Sequence, residues 1–552
     1  MSNRILKEIP TYNRTHVPGT NNIRVLGLDI HPTIAPISSA IALLVVAFTL
    51  AFTDRAELLF GQIKDAIAAS TGWFYILSAS LYLIFVVYIA FSKLGRIRIG
   101  GQDAQAEFSL FSWFAMLVSA GMGIGLMFWS VAEPMRHFFA PPQGLSAAVG
   151  GTPEAAKLAM AITFFHWGLH PWGIYALVGL ALAFCYFNRG RPLAISSIFY
   201  PILGERIYGW PGQIVDILAV LATLSGLATS LGTGAEQIDS GLQFLFGVPD
   251  TELVQVAIVA VVTAITALSV SSGLQKGVKQ LSEINLYLSG VLLAFILLTG
   301  PAQFVLNTFV EELGYYTSLL PTLSFWTEAF SKSNWQADWT LFYWSWWIAW
   351  SPFVGTFIAR VSKGRTVREF IIGVLLVPSL LTFLWMSVFG GTALDFSLAG
   401  DTSIAAAVNA DVSTALFALL ARLPMPPISS LLAIALVVTF FVTSANSGAL
   451  VTCYLTAGGK LEPSVALRLF WVILEGLVAV ALLLGGGLSA LQAASLTVGL
   501  PFALVLLVMC YSLYRGLQDD GKLLDAATDP RLHDLPIRER VRRVFQASPR
   551  GD

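Results

Sequence analysis

Charged side chains are scarce in this chain. Only 12% of its 552 residues are Asp, Glu, Lys or Arg, whereas 56% are hydrophobic and the mean hydropathy is +0.73. Soluble chains carry about 25% charged residues. The shortage excludes a soluble globular protein and a disordered one, and the formal net charge of -1 provides no basic surface for nucleic acid. The composition therefore predicts an integral membrane protein that binds no nucleic acid.

Cysteine is also rare, and each of the three cysteines, Cys185, Cys453 and Cys510, lies inside an apolar run. Their spacing gives neither a disulfide framework nor a metal site. The sequence lacks a Walker-type phosphate loop and a polar segment long enough for a nucleotide-binding domain, which argues against a primary pump. It also lacks the filter motif or rings of charge that are usual in channels. We therefore expect neither an enzyme nor a cofactor.

Long apolar runs are abundant, and a membrane-spanning helix needs about 20 mainly apolar residues. The sequence predicts an all-α protein with twelve transmembrane helices. A less apolar stretch at 310–330 is predicted to lie along the membrane surface as an amphipathic segment. The twelve predicted spans are 35–53, 72–92, 108–132, 158–187, 212–246, 252–272, 281–306, 338–361, 367–394, 428–457, 464–485 and 488–514.

Lysine and arginine concentrate on one side of these spans. Counting on alternate sides places 26 of the 32 basic residues on the side that holds both termini. Positively charged loops stay in the cytoplasm. We therefore predict a cytoplasmic tail over 1–34, a twelve-helix transporter domain over 35–515 and a second cytoplasmic tail over 516–552, in a bacterial-type inner membrane.

Two spans contain residues that interrupt helices. The third span has Gly121, Gly123 and Gly125, and the eighth span, five spans later, has Pro352 and Gly355. Unwound backbone at membrane depth is tolerated where it is buried in protein or lines a cavity. Interrupted helices at matching positions predict two inverted repeats, about 108–306 and 338–514, of a secondary transporter with its site at the midplane. The alternative for each span is close helix packing and a simple kink.

Aromatic residues concentrate in the fourth and eighth spans. Five of the 15 tryptophans lie within residues 339–350. Trp346 and Trp350 are four residues apart and share a helix face, as do Trp172 and Tyr175, which are three apart. A quaternary ammonium has no N–H to donate and is held by the faces of such rings. The pattern favours an aromatic cage, although ordinary packing of a bundle also uses large aromatics.

Four longer strings resemble the betaine/choline/carnitine transporter family, and the resemblance extends over about residues 25–515. The strings are AGMGIGLMFWSVAEP from Ala120, HWGLHPWGIY from His166, YWSWWIAWSPFVGTFIAR from Tyr343 and FFVTSANS from Phe440. The resemblance implies a leucine-transporter-like fold, in which two N-terminal helices precede an inverted repeat of five plus five helices. It also implies a homotrimer.

Carried over by motif position, the resemblance implies a substrate site, two gates and a sodium site. Aromatic rings would surround the trimethylammonium group, and backbone N–H groups of the glycine stretch would hold a carboxylate. The substrate-binding residues would be Trp167, Trp172, Tyr175, Trp346, Trp347, Trp350, Ser230, Gly121, Gly123 and Gly125, and the gates would be Phe128 and Phe357. The sodium ligands would be the carbonyls of Ser119, Met122 and Phe440 and the hydroxyls of Thr443 and Ser444.

A second sodium site is incomplete in this sequence. Sodium-coupled betaine carriers of the family place two threonines one turn apart in the fifth span, and this chain has Thr223 followed by Leu227. Phe353 of the same site is retained. Because leucine supplies no oxygen ligand, the number of sodium ions stays open.

Gly125 bears on the choice of substrate. Proton-coupled, choline-type members of the family carry aspartate at this position, so a glycine favours a zwitterion. We predict a sodium-coupled symporter for a zwitterionic quaternary ammonium or related onium compatible solute, glycine betaine first. The alternatives are proton-coupled choline uptake, carnitine-type exchange, uptake of dimethylsulfoniopropionate or ectoine, and a solute-binding osmosensor. His166 and His170 are more typical of packing and capping at a kink near Pro171 than of a proton relay or metal pair.

The C-terminal segment changes character after Leu517. Acidic residues come first, and a segment at 536–545 with four arginines fits a short amphipathic basic helix. Such a helix can bind anionic lipid, but a plain positive-inside signal explains the arginines equally well. We expect weak or modest osmotic activation of transport.

Overall fold

The computed structural model describes residues 17–121, 123–271, 275–331 and 333–528. Within these ranges the chain is almost entirely helical, apart from one hairpin of antiparallel strands, β1 (Ile23–Val25) and β2 (Leu28–Ile30). This confirms the predicted all-α fold. Met122 and the basic segment at 536–545 lie outside the described residues.

The helices of the described ranges are numbered here in chain order. They are α1 (Ile34–Ala51), α2 (Thr53–Phe91), α3 (Leu110–Gly121), α4 (Ile124–Phe139), α5 (Pro153–Trp167), α6 (Leu169–Ala183), α7 (Trp210–Phe246), α8 (Glu252–Ser271), α9 (Gln275–Thr299), α10 (Ala302–Phe325), α11 (Thr340–Val361), α12 (Val367–Leu398), α13 (Pro426–Thr456), α14 (Val465–Leu484) and α15 (Gly487–Thr528). Shorter helices occupy Tyr200–Leu203, Trp335–Asp338, Ser403–Ala410 and Ala415–Leu420.

The described part of the chain holds ten helical segments long and apolar enough to cross a membrane, and the pair α3 and α4, bent by 65°, adds an eleventh. Helix α11 has 22 residues, most of them buried, but is not among these segments. Each of the twelve predicted spans corresponds to one helix, or one pair of helices, among α1 to α15. The number of membrane crossings stays a prediction. Helix α10, which contains residues 310–325 of the predicted surface segment, is not among the candidate spans either.

Helix α11 lies at the centre of the bundle. Nearly all of its side chains are buried, and it packs against α6, α7 and α15. Helix α6 carries Trp172 and Tyr175, and α7 carries Ser230. This packing therefore brings aromatic and hydroxyl side chains of distant spans close together.

The eighth predicted span is a continuous helix, which corrects the expectation that it is interrupted. Helix α11 runs through Pro352 without a break. Proline has no N–H, so it leaves the carbonyl of Ile348 without its usual helical donor. The hydroxyl of Ser351 donates to that oxygen instead, at 2.7 Å. Gly355 serves packing, since a Cβ atom there would lie 2.6 Å from Cγ1 of Val178 in α6.

A break that the sequence did not locate lies in the fourth span. Helix α5 ends at Trp167 and α6 begins at Leu169, with Gly168 between them. The kink expected near Pro171 is therefore at Gly168, because Pro171 falls in the first turn of α6, where a missing N–H is tolerated. The break lets Trp167 and Trp172 line the same cavity from two helices.

The last helix extends beyond the predicted boundary between the transporter domain and the C-terminal tail. Helix α15 continues to Thr528. Its final turns are held by Arg189, which forms a largely buried ion pair with Asp520 at 2.8 Å, and by Arg96, which pairs with Asp525. The beginning of the predicted tail is therefore part of the folded body.

We predict that Gly168→Ala destabilises the protein by about 1–3 kcal/mol, as overpacking of a dense interior does. A Cβ atom at this position would lie 2.5 Å from the carbonyl oxygen of Phe164 and 2.5 Å from the ring of Phe383. Thermal unfolding of the purified protein in detergent measures the effect. Gly290→Ala is the control, because a Cβ atom there meets nothing within 4 Å. Equal melting temperatures for the two variants would contradict the prediction.

Candidate substrate and ion site

The break between α3 and α4 brings glycine backbone against tryptophan rings. A Cβ atom at Gly121 would lie 2.4 Å from Cζ2 of Trp172, and one at Gly125 would lie 2.5 Å from Cη2 of Trp346. Both positions therefore exclude any side chain while the rings stay in place. Gly123, in extended backbone before α4, is less crowded, since its nearest ring atom would be 3.8 Å away. The glycines thus have a packing role in addition to the predicted exposure of backbone N–H groups.

One cavity collects the predicted aromatic residues, which we call the cage. The cage consists of Trp167, Trp172, Tyr175, Trp346, Trp347 and Trp350. The glycines of the break and Ser230 line the same cavity, so the structure brings every predicted substrate-binding residue together. Thr382 of α12 also lines it and was missed by sequence reasoning, because a lone threonine in an apolar span carries no distinctive signal.

The rings of the cage meet mainly edge to face. The centroids of Trp167 and Trp347 are 4.9 Å apart with an interplanar angle of 71°, and those of Trp172 and Tyr175 are 5.5 Å apart at 82°. Trp346 and Trp347 are stacked at 4.7 Å. The cavity volume is about 30 Å³, which is room for roughly two water-sized spheres. The rings must therefore separate to admit a trimethylammonium group.

Polar groups of the cage differ in what they offer a ligand. The hydroxyl of Tyr175 and Nε1 of Trp350 are buried and have no hydrogen-bond partner within the described part of the chain. Buried donors of this kind are costly to leave unsatisfied. The hydroxyl of Ser230 donates to the carbonyl of Gly226 at 3.2 Å in its own helix. The Tyr175 hydroxyl and Nε1 of Trp350 are therefore free to donate to a ligand oxygen.

A second cavity, which we call the ion cavity, collects the predicted sodium ligands that the structure describes. Its volume is about 100 Å³. Ser119, Phe440, Thr443 and Ser444 line it. The Thr443 hydroxyl donates to the carbonyls of Thr439 at 3.0 Å and Phe440 at 3.1 Å, so its proton is bound within the helix. Thr443 and Asn285 both line the cavity, and the side-chain amide of Asn285 donates to the Thr443 hydroxyl oxygen at 3.3 Å. Asn285 was not identified from the sequence.

The residues considered for a second sodium site each have partners of their own in the structure. The hydroxyl of Thr223 donates to the carbonyl of Ala219 at 2.8 Å, and Leu227 packs closely against Gly448 of α13. Phe353 lines the ion cavity, with its ring edge-on to Trp350 at 5.3 Å. Thr223, Leu227 and Phe353, the residues of the incomplete second sodium motif, therefore each contact a different partner.

A vestibule of about 1060 Å³ adjoins the ion cavity on one side of the bundle. Ser119, Ser282, Leu286, Phe357 and Ser447 line both spaces. The two predicted gates accordingly differ in exposure. The Phe357 side chain is 37% exposed, whereas that of Phe128 is 1% exposed and packs edge-on to Trp129 at 5.0 Å. The ion cavity therefore adjoins the vestibule near Phe357, whereas Phe128 is packed inside the bundle.

Glu133 is a functional candidate that sequence reasoning missed. Its carboxylate is fully buried in α4 and accepts hydrogen bonds from Nε1 of Trp167 at 2.7 Å and from the hydroxyl of Tyr343 at 2.5 Å. It also lies 2.6 Å from Nδ1 of His166. The Nε1 of Trp347 in turn donates to the backbone carbonyl of His166 at 2.9 Å. One acid therefore anchors the cage on the side away from the vestibule. The available signal was an acid directly after the predicted span 108–132.

The two histidines of the fourth span have different partners. His166 lies between Glu133 and the Thr340 hydroxyl, 3.0 Å from its Nε2. His170 stacks on Trp344 at 5.2 Å, and its Nε2 lies 3.3 Å from the Ser324 hydroxyl. The two histidines therefore have separate partners, and His166 hydrogen-bonds to side chains of other helices instead of capping backbone at the kink.

Comparison with known proteins gives one coherent set of similarities. A family model described as betaine/carnitine/choline family transporter matches residues 33–522. A glycine betaine/proline/choline transporter of Vibrio parahaemolyticus is 48% identical over 90% of this chain and 92% of its own length. A probable glycine betaine transporter of Desulfitobacterium hafniense is 45% identical over 88% of this chain and 98% of its own length. A glycine betaine transporter of Bacillus subtilis is 44% identical over 87% and 92%, respectively.

We predict that Glu133→Ala lowers stability by roughly 2 kcal/mol or more, because two buried donors, Trp167 and Tyr343, lose their acceptor. Glu133→Gln keeps an acceptor oxygen and should lose clearly less. Denaturant unfolding of the purified protein, followed by tryptophan fluorescence, compares the three proteins. If the alanine variant were as stable as the native chain, the anchoring role of Glu133 would be wrong.

Proposed function

This chain belongs to the betaine/carnitine/choline transporter family, and from that premise we propose that it is a symporter that imports glycine betaine or a closely related onium zwitterion together with sodium. The protein is a multi-pass membrane transporter and not an enzyme. The substrate and the coupling ion are the proposed parts, and the site supports both.

The observation that carries the substrate assignment is a cage of aromatic rings whose described lining holds no charged side chain. A quaternary ammonium is bound by ring faces, each desolvated contact contributing up to about 2 kcal/mol. Its carboxylate can take the two free donors, the Tyr175 hydroxyl and Nε1 of Trp350, together with the first amides of α4, which have no intrahelical acceptor. A zwitterion thus satisfies both halves of the site.

A net cation such as choline fits this lining less well, because no carboxylate faces the cage. Glu133 is held behind Trp167 by its hydrogen bonds and is not part of the lining. An acid at position 125 would require movement of Trp346, whose ring occupies that space. The relatives from Desulfitobacterium hafniense and Bacillus subtilis, a probable glycine betaine transporter and a glycine betaine transporter, support the same choice.

Sodium coupling is supported by the position of the ion cavity. Ala120 and Trp350 line both the ion cavity and the cage. The oxygen-bearing side chains on the ion side, Ser119, Thr443 and Ser444, are ligands that hard cations prefer. An ion bound there would fix the wall that the two cavities share and thereby favour the closed cage around the substrate.

We infer that the vestibule faces the cytoplasm and that both tails lie on that side. Arg360 and Arg468 line the vestibule, and both belong to the basic side of the predicted topology. The conformation is then the one that releases substrate inward. A homotrimer in the inner membrane, with anionic lipid at the C-terminal tail, is carried over from the family and the tail composition.

We predict that Trp347→Ala raises the betaine concentration for half-maximal uptake at least about 10-fold, because the cage loses a ring face worth up to about 2 kcal/mol. Uptake of labelled betaine by cells or proteoliposomes measures it. Trp385→Ala is the matched control: Trp385 is equally buried but stacks on Phe389 in α12, outside the cage. Similar half-saturation values for the two variants would show that the cage assignment is wrong.

We predict that betaine accumulates in proteoliposomes with an inward sodium gradient and does not accumulate with a proton gradient alone. Thr443→Val should raise the sodium concentration for half-maximal uptake about 10-fold, since it removes one oxygen ligand. Thr439→Val, one turn earlier on α13 and outside the ion cavity, is the control. Accumulation without sodium, or preferred uptake of choline, would favour the proton-coupled alternative, and binding without uptake would favour a sensor.

A further inference from the structure

Three ligating side chains meet on the side of the cage away from the vestibule. Glu133, His137 and His166 are all buried, and their nearest ligand atoms lie within 4.8 Å of one another. Oε1 of Glu133 is 2.6 Å from Nδ1 of His166 and 3.5 Å from Nε2 of His137. We call these three residues the Glu133 cluster.

His137 is the unexplained member of this cluster. Its side chain is 1% exposed, and Nδ1 has no hydrogen-bond partner in the described part of the chain. The contact of Nε2 with Oε1 of Glu133, at 3.5 Å, is too long for a well-formed hydrogen bond. Two tryptophan rings enclose it, Trp339 at 4.4 Å and Trp335 at 5.1 Å between centroids. A buried polar ring without a partner carries a desolvation cost unless it serves a ligand. Its Nε2 lies on the side of Glu133, where a ligand would be shared with the carboxylate.

The groups around the cluster are arranged as metal ligands usually are. Ligating histidines typically donate their second ring N–H to an oxygen, and ligating carboxylates are themselves hydrogen-bonded. His166 has its Nε2 3.0 Å from the Thr340 hydroxyl, so Nδ1 can be the ligand atom. Oε2 of Glu133 accepts from Trp167 and Tyr343, which leaves Oε1 for an ion. The contact of His166 with Thr340 and the hydrogen bonds that Glu133 accepts are therefore already formed without a metal.

We propose that the Glu133 cluster is a binding site for a zinc-class transition metal ion. Two histidine nitrogens and one carboxylate oxygen are a ligand set that Zn²⁺ takes in proteins, with metal–ligand distances of about 2.0–2.2 Å and a fourth position left for water or chloride. The ion would take the place of the hydrogen bond between Nδ1 of His166 and Oε1 of Glu133, and a proton on Nδ1 would be released to solvent. The close pair would move apart slightly, since ligands of a tetrahedral ion stand about 3.3–3.5 Å from each other at these bond lengths.

A metal at this place would link α4 to α5 beneath the rings of Trp335 and Trp339. On the proposed function, that side must open for substrate to reach the cage. An ion that fixes Glu133 also restrains Trp167 and Tyr343, which donate to it, so we expect the bound ion to hold that side closed and inhibit uptake. Because the cluster is buried, the ion reaches it only when that side opens. Inhibition by metal therefore rests on the proposed transport cycle, whereas binding of metal does not.

Equilibrium dialysis of the purified full-length chain with Zn²⁺, after removal of any affinity tag, tests the site. We expect about one tightly bound ion per chain, and at least a 10-fold weaker affinity in His137→Gln and in His137→Asn. His170→Gln is the matched control, because His170 is equally buried on the same span but has other partners. Elution on size exclusion as for the native chain, together with metal-free betaine uptake, shows that each variant is folded.

The outcomes separate the parts of the proposal. Equal zinc affinity in the native chain and both folded His137 variants, or no tight binding in the native chain, overturns the site whatever the substrate proves to be. Zinc inhibition of betaine uptake that both His137 variants lack supports the closed-state lock. Tight, His137-dependent binding with unimpaired uptake overturns the lock and leaves the metal site supported.

Discussion

The close contact between glycine backbone and tryptophan rings is the constraint on which this site depends. Trp172 and Trp346 occupy the space where side chains of Gly121 and Gly125 would be, and Gly226 of α7 gives the same room to Trp350. Without these glycines the rings could not enter the bend between α3 and α4. The bend therefore begins a new helix at Ile124, whose first amides have no intrahelical acceptor, and it makes room for the rings of the cage.

The scarcity of charge in the sequence acquires a mechanistic meaning from this geometry. In the predicted topology most basic residues lie on one side of the membrane, and the described lining of the cage is uncharged. Glu133 is hydrogen-bonded to Trp167 of the cage as well as to Tyr343 and His166, and it acts on the cage by fixing ring positions. A zwitterion brings its own countercharge, so the protein need not supply one. On the proposed function, the wall shared by the cage and the ion cavity is the route by which bound sodium would act on the substrate site.

Much of the architecture was predictable because long apolar runs, and the bias of basic residues between alternate loops, are visible in the order of residues along the chain. The cage residues were predictable by motif, and helical periodicity already paired Trp346 with Trp350. The errors concern local hydrogen bonding. Pro352 does not break α11 because the Ser351 hydroxyl replaces the missing donor, and the break at Gly168 depends on contact with Phe383 from another helix. Glu133, Asn285 and Thr382 could not be recognised because their roles come from partners far away in the chain.

Equilibrium binding of glycine betaine and of choline to the purified transporter tests whether the cage is a zwitterion site coupled to sodium. Quenching of tryptophan fluorescence reports binding, and it is measured with and without sodium. The account predicts that betaine binds more tightly than choline and that sodium strengthens betaine binding, because the ion cavity and the cage share Trp350. Choline binding as tight as betaine binding, or betaine binding indifferent to sodium, would contradict it.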